Sequence, residues 1–146
     1  MKKTSKEIEQ IMRTVCFYIR VEGRKVLKNM DISSAQFDVL QTLYFNGSKK
    51  LSDISKKLGV TKSTTTGLIK RLEILGVIEK TQSEEDKRVY MVKISDSGIE
   101  LIEEVISRRV VLMEKVVNKM GNNELFIEKL SEFQKIIKEV VEVDNQ

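Results

Sequence analysis

Leu51-Ser52-Asp53-Ile54-Ser55-Lys56-Lys57-Leu58-Gly59-Val60 runs straight into Thr61-Lys62-Ser63-Thr64-Thr65-Thr66-Gly67-Leu68-Ile69-Lys70-Arg71-Leu72-Glu73. Each half has helical spacing of apolar residues, and each is closed by a glycine, Gly59 for the first and Gly76 for the second. Val77-Ile78-Glu79-Lys80-Thr81 and Val89-Tyr90-Met91-Val92-Lys93-Ile94 then read as two strands around a charged tip, Ser83-Glu84-Glu85-Asp86-Lys87-Arg88. Helix, tight turn, helix and hairpin spell a winged helix-turn-helix. Its second helix has the shape that enters a major groove of DNA.

Within this stretch Leu51, Ile54 and Leu58 face inward, with Ser52 the expected N-cap of the first helix and Thr61 that of the second. Leu68, Ile69, Leu72 and Leu75 supply the second helix's core side, which leaves Lys62, Ser63, Thr64, Thr65, Thr66, Lys70 and Arg71 outside. A serine and three threonines are poor helix material, because hydroxyls compete with the backbone and branching restricts χ1. Short hydroxyls at a helix start can instead bond phosphates or base edges, and threonine methyls can touch thymine methyls. The plainer alternative is an ordinary solvated first turn. At the tip, Asp86 and Arg88 flank Lys87, so the carboxylate can fix the guanidinium and aim it at a narrow minor groove. A simple surface ion pair is the alternative there.

Working outward, residues 5–28 form a long first helix with the stripe Ile8, Ile11, Met12, Val15 and Ile19, its last turn weakened by Gly23. Ile32-Ser33-Ser34-Ala35-Gln36-Phe37 starts the next helix with a Ser33/Gln36 capping box, and Phe37, Leu40, Leu43 and Tyr44 continue its buried face to Asn46-Gly47. Ser33, Ser34, Gln36, Lys56 and Lys57 are candidate phosphate contacts. Beyond the wing, Ser95 caps a helix from about 96 to 120 with the stripe Ile99, Ile102, Ile106, Val110, Met113, Val117 and Met120. Gly121-Asn122-Asn123 breaks it, and a last helix carries Phe126, Leu130, Phe133, Ile137, Val140 and Val141. These stripes exceed what one small reader can cover, so self-association is expected; obligate interfaces commonly bury more than roughly 2,000 Å².

Composition narrows the chemistry. The 146 residues hold no histidine and one cysteine, which excludes zinc fingers, metal centres built on His or Cys, and Ser-His or Cys-His catalysis. No phosphate-cradling glycine motif is present, so no cofactor and no catalytic residue is expected, and the chain does not read as an enzyme. The longest apolar run, Val15 to Ile19, cannot span a membrane, and no signal-peptide core follows the basic start; a cytoplasmic protein is expected. Residues 48–95 carry eleven bases against six acids, while 96–146 carry seven against eleven. The basic excess sits on the reader and points to a polyanion, double-stranded DNA, as partner.

In combination and order, the stretches 51–60, 62–73, Leu75-Gly76-Val77-Ile78 and Asp86-Lys87-Arg88 through Ile94-Ser95-Asp96-Ser97-Gly98 resemble the MarR family of bacterial transcription regulators. The family's wing usually ends Leu-Thr where this chain has Ile94-Ser95, and serine caps equally well. The resemblance implies a mainly α (α+β) single domain over 1–146, with the winged helix-turn-helix at 33–95 and dimerisation helices at 5–28 and 96–141. It further implies a homodimer, most often a repressor, on a pseudo-palindromic operator. A small-molecule effector, commonly aromatic or phenolic, is taken between dimer region and reader; Tyr18, Arg20, Arg24 and Tyr44 are the candidate ligand contacts. One branch of the family senses peroxides through a cysteine near Cys16. Here Ser34 and Phe37 stand where that branch has tyrosines, so a buried structural cysteine is expected and thiol sensing is the alternative. An alternative of another class is a winged-helix module that binds a protein.

Overall fold

The computed structural model describes residues 2–144. Among them the order is α1 (Lys2–Arg24), a 3-10 turn (Lys25–Leu27), α2 (Ser34–Asn46), β1 (Lys49–Lys50), α3 (Leu51–Leu58), α4 (Lys62–Ile74), β2 (Ile78–Gln82), β3 (Tyr90–Ile94), α5 (Asp96–Met120) and α6 (Glu124–Asp144). The chain forms two compact units, Met1–Arg109 and Val110–Gln146, divided within α5. No helix among the described residues is long and apolar enough to cross a membrane.

The caps explain most boundaries. Ser33 Oγ accepts from the Gln36 backbone N–H at 3.2 Å while Gln36 Oε1 accepts from the Ser33 N–H at 2.8 Å, the reciprocal box that starts α2. Thr61 Oγ1 accepts from the Thr64 N–H at 3.2 Å and starts α4. Ser95 Oγ accepts from the Gly98 N–H and donates to the Gly76 carbonyl at 2.6 Å, so one side chain both starts α5 and ties it to the end of α4. Between α3 and α4, Gly59 adopts φ 66°, a left-handed conformation that lets the chain reverse within three residues.

Two boundaries differ from expectation. Ser52 lies inside α3, whose N-cap is Lys50 without a side-chain bond. The reason is β1: Lys49 and Lys50 pair with Val92 and Met91 of β3, and α3 begins directly after that pairing. The sheet therefore has three antiparallel strands in the order β1-β3-β2, with Ile78 opposite Ile94 and Gln82 opposite Tyr90. The first helix, expected over 5–28 with a weakened last turn, ends as an α-helix at Arg24, one residue after Gly23, and tightens to the 3-10 turn. Gly23 is buried, and a Cβ there would lie 2.5 Å from Arg109 Nε, so its small size serves packing of α1 on α5.

The core of the first unit joins Phe37, Val39, Leu40 and Leu43 of α2 to Ile54 of α3, Ile69 and Leu72 of α4, Val77, Ile78 and Val92 around the sheet, and Leu101, Ile102 and Val105 of α5. Each such side chain contributes about 1.5–3 kcal/mol on burial. The second unit is different: none of the described α6 residues is buried, and Phe126, Leu130, Phe133, Ile137 and Val140 are all exposed.

Candidate nucleic-acid interface

The phase of α4 on the core decides which of its side chains face out. Thr65, Ile69 and Leu72 are buried and Leu68 and Leu75 half-buried, so the opposite face presents Ser63, Thr66, Gly67, Lys70 and Ile74. Thr64 and Arg71, seven residues apart, share one flank, and Lys62 stands at the other. Thr61, Ser63 and Thr64 join hydroxyls at 3.0–3.1 Å around the cap, and Thr66 Oγ1 donates back to the Lys62 carbonyl at 2.8 Å.

Thr65 corrects the expectation that the whole hydroxyl run faces out. It is fully buried, its Oγ1 accepting from Ser55 Oγ at 2.8 Å and donating to the Thr61 carbonyl at 3.1 Å. A hydroxyl on the core side of a helix needs such partners, and Ser55, buried on α3, supplies one. Gln36 is the second correction. It is buried and its carbonyl oxygen is used by the Ser33 cap, so it builds the start of α2 and does not offer that oxygen outward. Ser33 and Ser34 beside it are exposed, as are Lys56 and Lys57 at the end of α3.

At the wing tip the Asp86–Arg88 pair that the spacing allows is formed. Arg88 donates from Nε and Nη2 to the two Asp86 carboxylate oxygens at 3.1 and 3.2 Å, and its backbone N–H adds a third bond at 3.0 Å. The Arg88 guanidinium, then its backbone N–H, hold the Asp86 carboxyl below the ordinary aspartate range. A depressed carboxylate keeps this clasp at neutral pH and releases it only as pH falls through the lowered pKa. The Arg88 side chain is 90% exposed, so the clasp orients it without covering it. Lys87 is exposed beside it, its carbonyl accepting from Gln82 Nε2 at 2.6 Å.

Helix and wing share a cleft of about 360 Å³, lined by Lys50, Leu51 and Ser52 at the start of α3, Lys62 and Thr66 of α4, and Arg88, Val89 and Tyr90 at the base of β3. Lys50 was not among the sequence candidates; it reaches this cleft because β1 holds it against β3, a pairing without sequence periodicity. A fourth cation, Lys80, stacks 4.7 Å above the Tyr90 ring. Arg71 is held from outside α4 by Asp31, Nη2 to Oδ2 at 2.7 Å, a contact across forty residues that no motif announces.

The remaining candidates do not gather. Tyr18 and Arg20 are exposed on α1 and, two residues apart, leave it on different sides. Arg24 is half-buried with its Nε unpartnered, and Tyr44 is half-buried with its ring edge-on to Phe45. The roomier clefts, about 490 and 460 Å³, lie between α2 and α3 and are lined by Thr42, Asn46 and Lys57 in common, not by these four. Cys16 is exposed, correcting the expected burial: its neighbours Val15, Phe17 and Tyr18, which point round the whole circumference of this turn of α1, are exposed too, so the chain alone leaves the turn uncovered.

Comparison with known proteins agrees with this architecture. The profile of the MarR family matches residues 32–90. The uncharacterized HTH-type transcriptional regulator YsmB of Bacillus subtilis (strain 168) is 30% identical over 121 residues, covering 83% of each chain. The HTH-type transcriptional repressor MdtR of the same organism is 27% identical over 119 residues, 82% of this chain and 77% of that protein. The crystal structure of transcriptional regulator Tm0710 from Thermotoga maritima superposes with a TM-score of 0.78 at 42% identity, over 95% of this chain and 96% of that one. This chain, a winged helix-turn-helix protein with its hydroxyl- and cation-bearing helix turned outward, belongs to the MarR family of transcriptional regulators and is not an enzyme.

Proposed function

We propose that the protein is a homodimeric repressor that binds a pseudo-palindromic operator in the cytoplasm and leaves it when a small-molecule effector binds. The observation that carries this reading is the cleft where Lys50, Lys62, Thr66 and Arg88 meet, which puts the recognition helix and the wing on one continuous basic surface. In a two-fold dimer, the α4 helices enter successive major grooves with half-site centres about 34–36 Å apart. Ser63, Thr66 and Lys70 then face base edges, and Arg88, steadied by Asp86, reaches the flanking minor groove. Ser33, Ser34, Lys56 and Lys57 contact phosphates on either side. The exposed apolar faces of α1 and α6 support a second copy of the chain as the occupant that covers them. An effector that shifts those helices changes the spacing of the two α4 helices, and both half-sites no longer fit together.

Duplexes selected from a random pool and sequenced test the proposal directly. An inverted repeat is expected, bound with a log–log salt slope of roughly −7 if about four cations per protomer neutralise phosphates. Arg88→Ala is expected to weaken operator binding by about tenfold, mostly at the flanking A·T-rich positions. Recovery of no common sequence, with binding that does not weaken between low and moderate salt, would sink the reading.

A further inference from the structure

The Asp31–Arg71 pair is unusual in its placement. Asp31 follows the 3-10 turn in a segment closed by backbone bonds on both sides, Met30 N–H to the Leu27 carbonyl and Ile32 N–H to the Met30 carbonyl, each 2.9 Å. Ile32 then packs on the core and Ser33 caps α2, so the backbone that carries Asp31 is fixed although its side chain is 91% exposed. An exposed ion pair adds little to folding stability. Its geometry has another use. Asp31 takes the Nη2 group, one part of a guanidinium fork with five N–H donors, and so pins Arg71 at one corner while leaving the fork able to bond elsewhere.

That corner lies on the rim of the proposed interface. Arg71 shares a flank of α4 with Thr64, and Asp31 is two residues from Ser33 and three from Ser34. A carboxylate in such a position repels any phosphate that approaches it, which lowers affinity for every duplex alike. It repays that loss only where a pre-oriented Arg71 finds its partner, because orientation helps a directional contact and does nothing for diffuse charge attraction.

We infer that Asp31 is a positioning residue for Arg71 and thereby a determinant of operator specificity, an inference that rests on the DNA-binding reading above. In the bound state the Asp31–Arg71 bond persists, and the remaining N–H donors of Arg71 meet the operator at a fixed angle.

The test measures dissociation constants of the full-length protein for a selected operator and for a random duplex of equal length. Five proteins are compared: wild type, Asp31→Asn, Arg71→Ala, the Asp31→Asn/Arg71→Ala double variant and Asp31→Glu. Asp31→Asn is expected to bind random duplex about twofold more tightly, since a negative charge is gone, while the operator-to-random ratio falls by about fivefold. In the Arg71→Ala background the same Asp31→Asn change is expected to leave the ratio unaltered, and Asp31→Glu is expected to restore part of it. An unchanged or higher ratio in Asp31→Asn overturns the inference, as does an equal fall in the Arg71→Ala background. A wild-type protein with no preference for any operator sinks the DNA-binding reading itself, a result distinct from either of these. Melting temperatures within a degree or two of wild type for all the variants exclude a merely structural effect.

Discussion

Thr65 and Thr66 are neighbours in a run of three identical residues, and the helix turns them to opposite uses. Thr65 is fully buried and shares a hydroxyl–hydroxyl bond with Ser55 that joins α3 to α4. Thr66 is exposed and bonds only backward to Lys62. Thr65→Val keeps the shape and loses the bond, so urea denaturation is expected to show a loss of about 1 kcal/mol, with the affinity of the folded protein for operator changed less than twofold. Thr66→Ala is expected to do the reverse: stability within about 0.5 kcal/mol of wild type and operator affinity lowered about threefold or more. Equal stability losses in the two variants would show that the phase of α4 has been misplaced. Composition alone could not separate these threonines. Apolar spacing at Ile69 and Leu72 came close, and the error at Thr65 arose because a hydroxyl can enter a core once another hydroxyl waits there.

At the scale of elements, the joint between wing and α5 leaves no room for a side chain at Gly98. A Cβ on Gly98 would overlap the Val77 carbonyl oxygen and come within 2.6 Å of Ile94 Cγ1, while Ser95 bonds across to the Gly76 carbonyl. Gly98→Ala therefore has to shift backbone, and a thermal melt is expected to show destabilisation of about 1–3 kcal/mol. An alanine variant that melts with the wild type would mean that α5 does not start against the wing. The starts of α2, α4 and α5 were legible because each carries its own cap: Ser33 with Gln36, Thr61 and Ser95 were all assignable from local residues, whereas α3, expected to start at Ser52, has no side-chain cap. β1 was not legible. Two lysines have no alternation to read, and they are a strand only because Val92 and Met91 lie opposite them.

At the scale of the molecule, the apolar residues divide by what covers them. Apart from the exposed Phe45 and Ile74, those of α2, α3, α4 and the first turns of α5 bury one another. Leu130, Phe133 and Ile137 of α6 instead line an open groove on their own helix, and Ile8, Ile11 and Val15 stay exposed along α1. Sedimentation equilibrium is expected to give a dimer, and Leu130→Glu with Phe133→Glu is expected to raise its dissociation constant by at least a hundredfold, weakening operator binding with it. A wild-type protein that sediments as a monomer at micromolar concentration contradicts the two-fold reader. The acidic 96–146 segment and basic 48–95 segment already assigned opposite tasks to the two regions in the sequence.

Helix positions, the caps of α2, α4 and α5, the hairpin and the basic sign of the reader were determined by the sequence alone, because each follows from neighbours a few residues apart: a hydroxyl before a helix, a glycine after it, an apolar side chain every third or fourth place. Only the tertiary structure decided that Thr65 and Gln36 turn inward, that Lys50 joins Lys62 and Arg88 at one cleft, and that Arg71 is held by Asp31. Those outcomes depend on which surfaces meet across long stretches of chain, and no local pattern of residue types encodes a contact forty positions away.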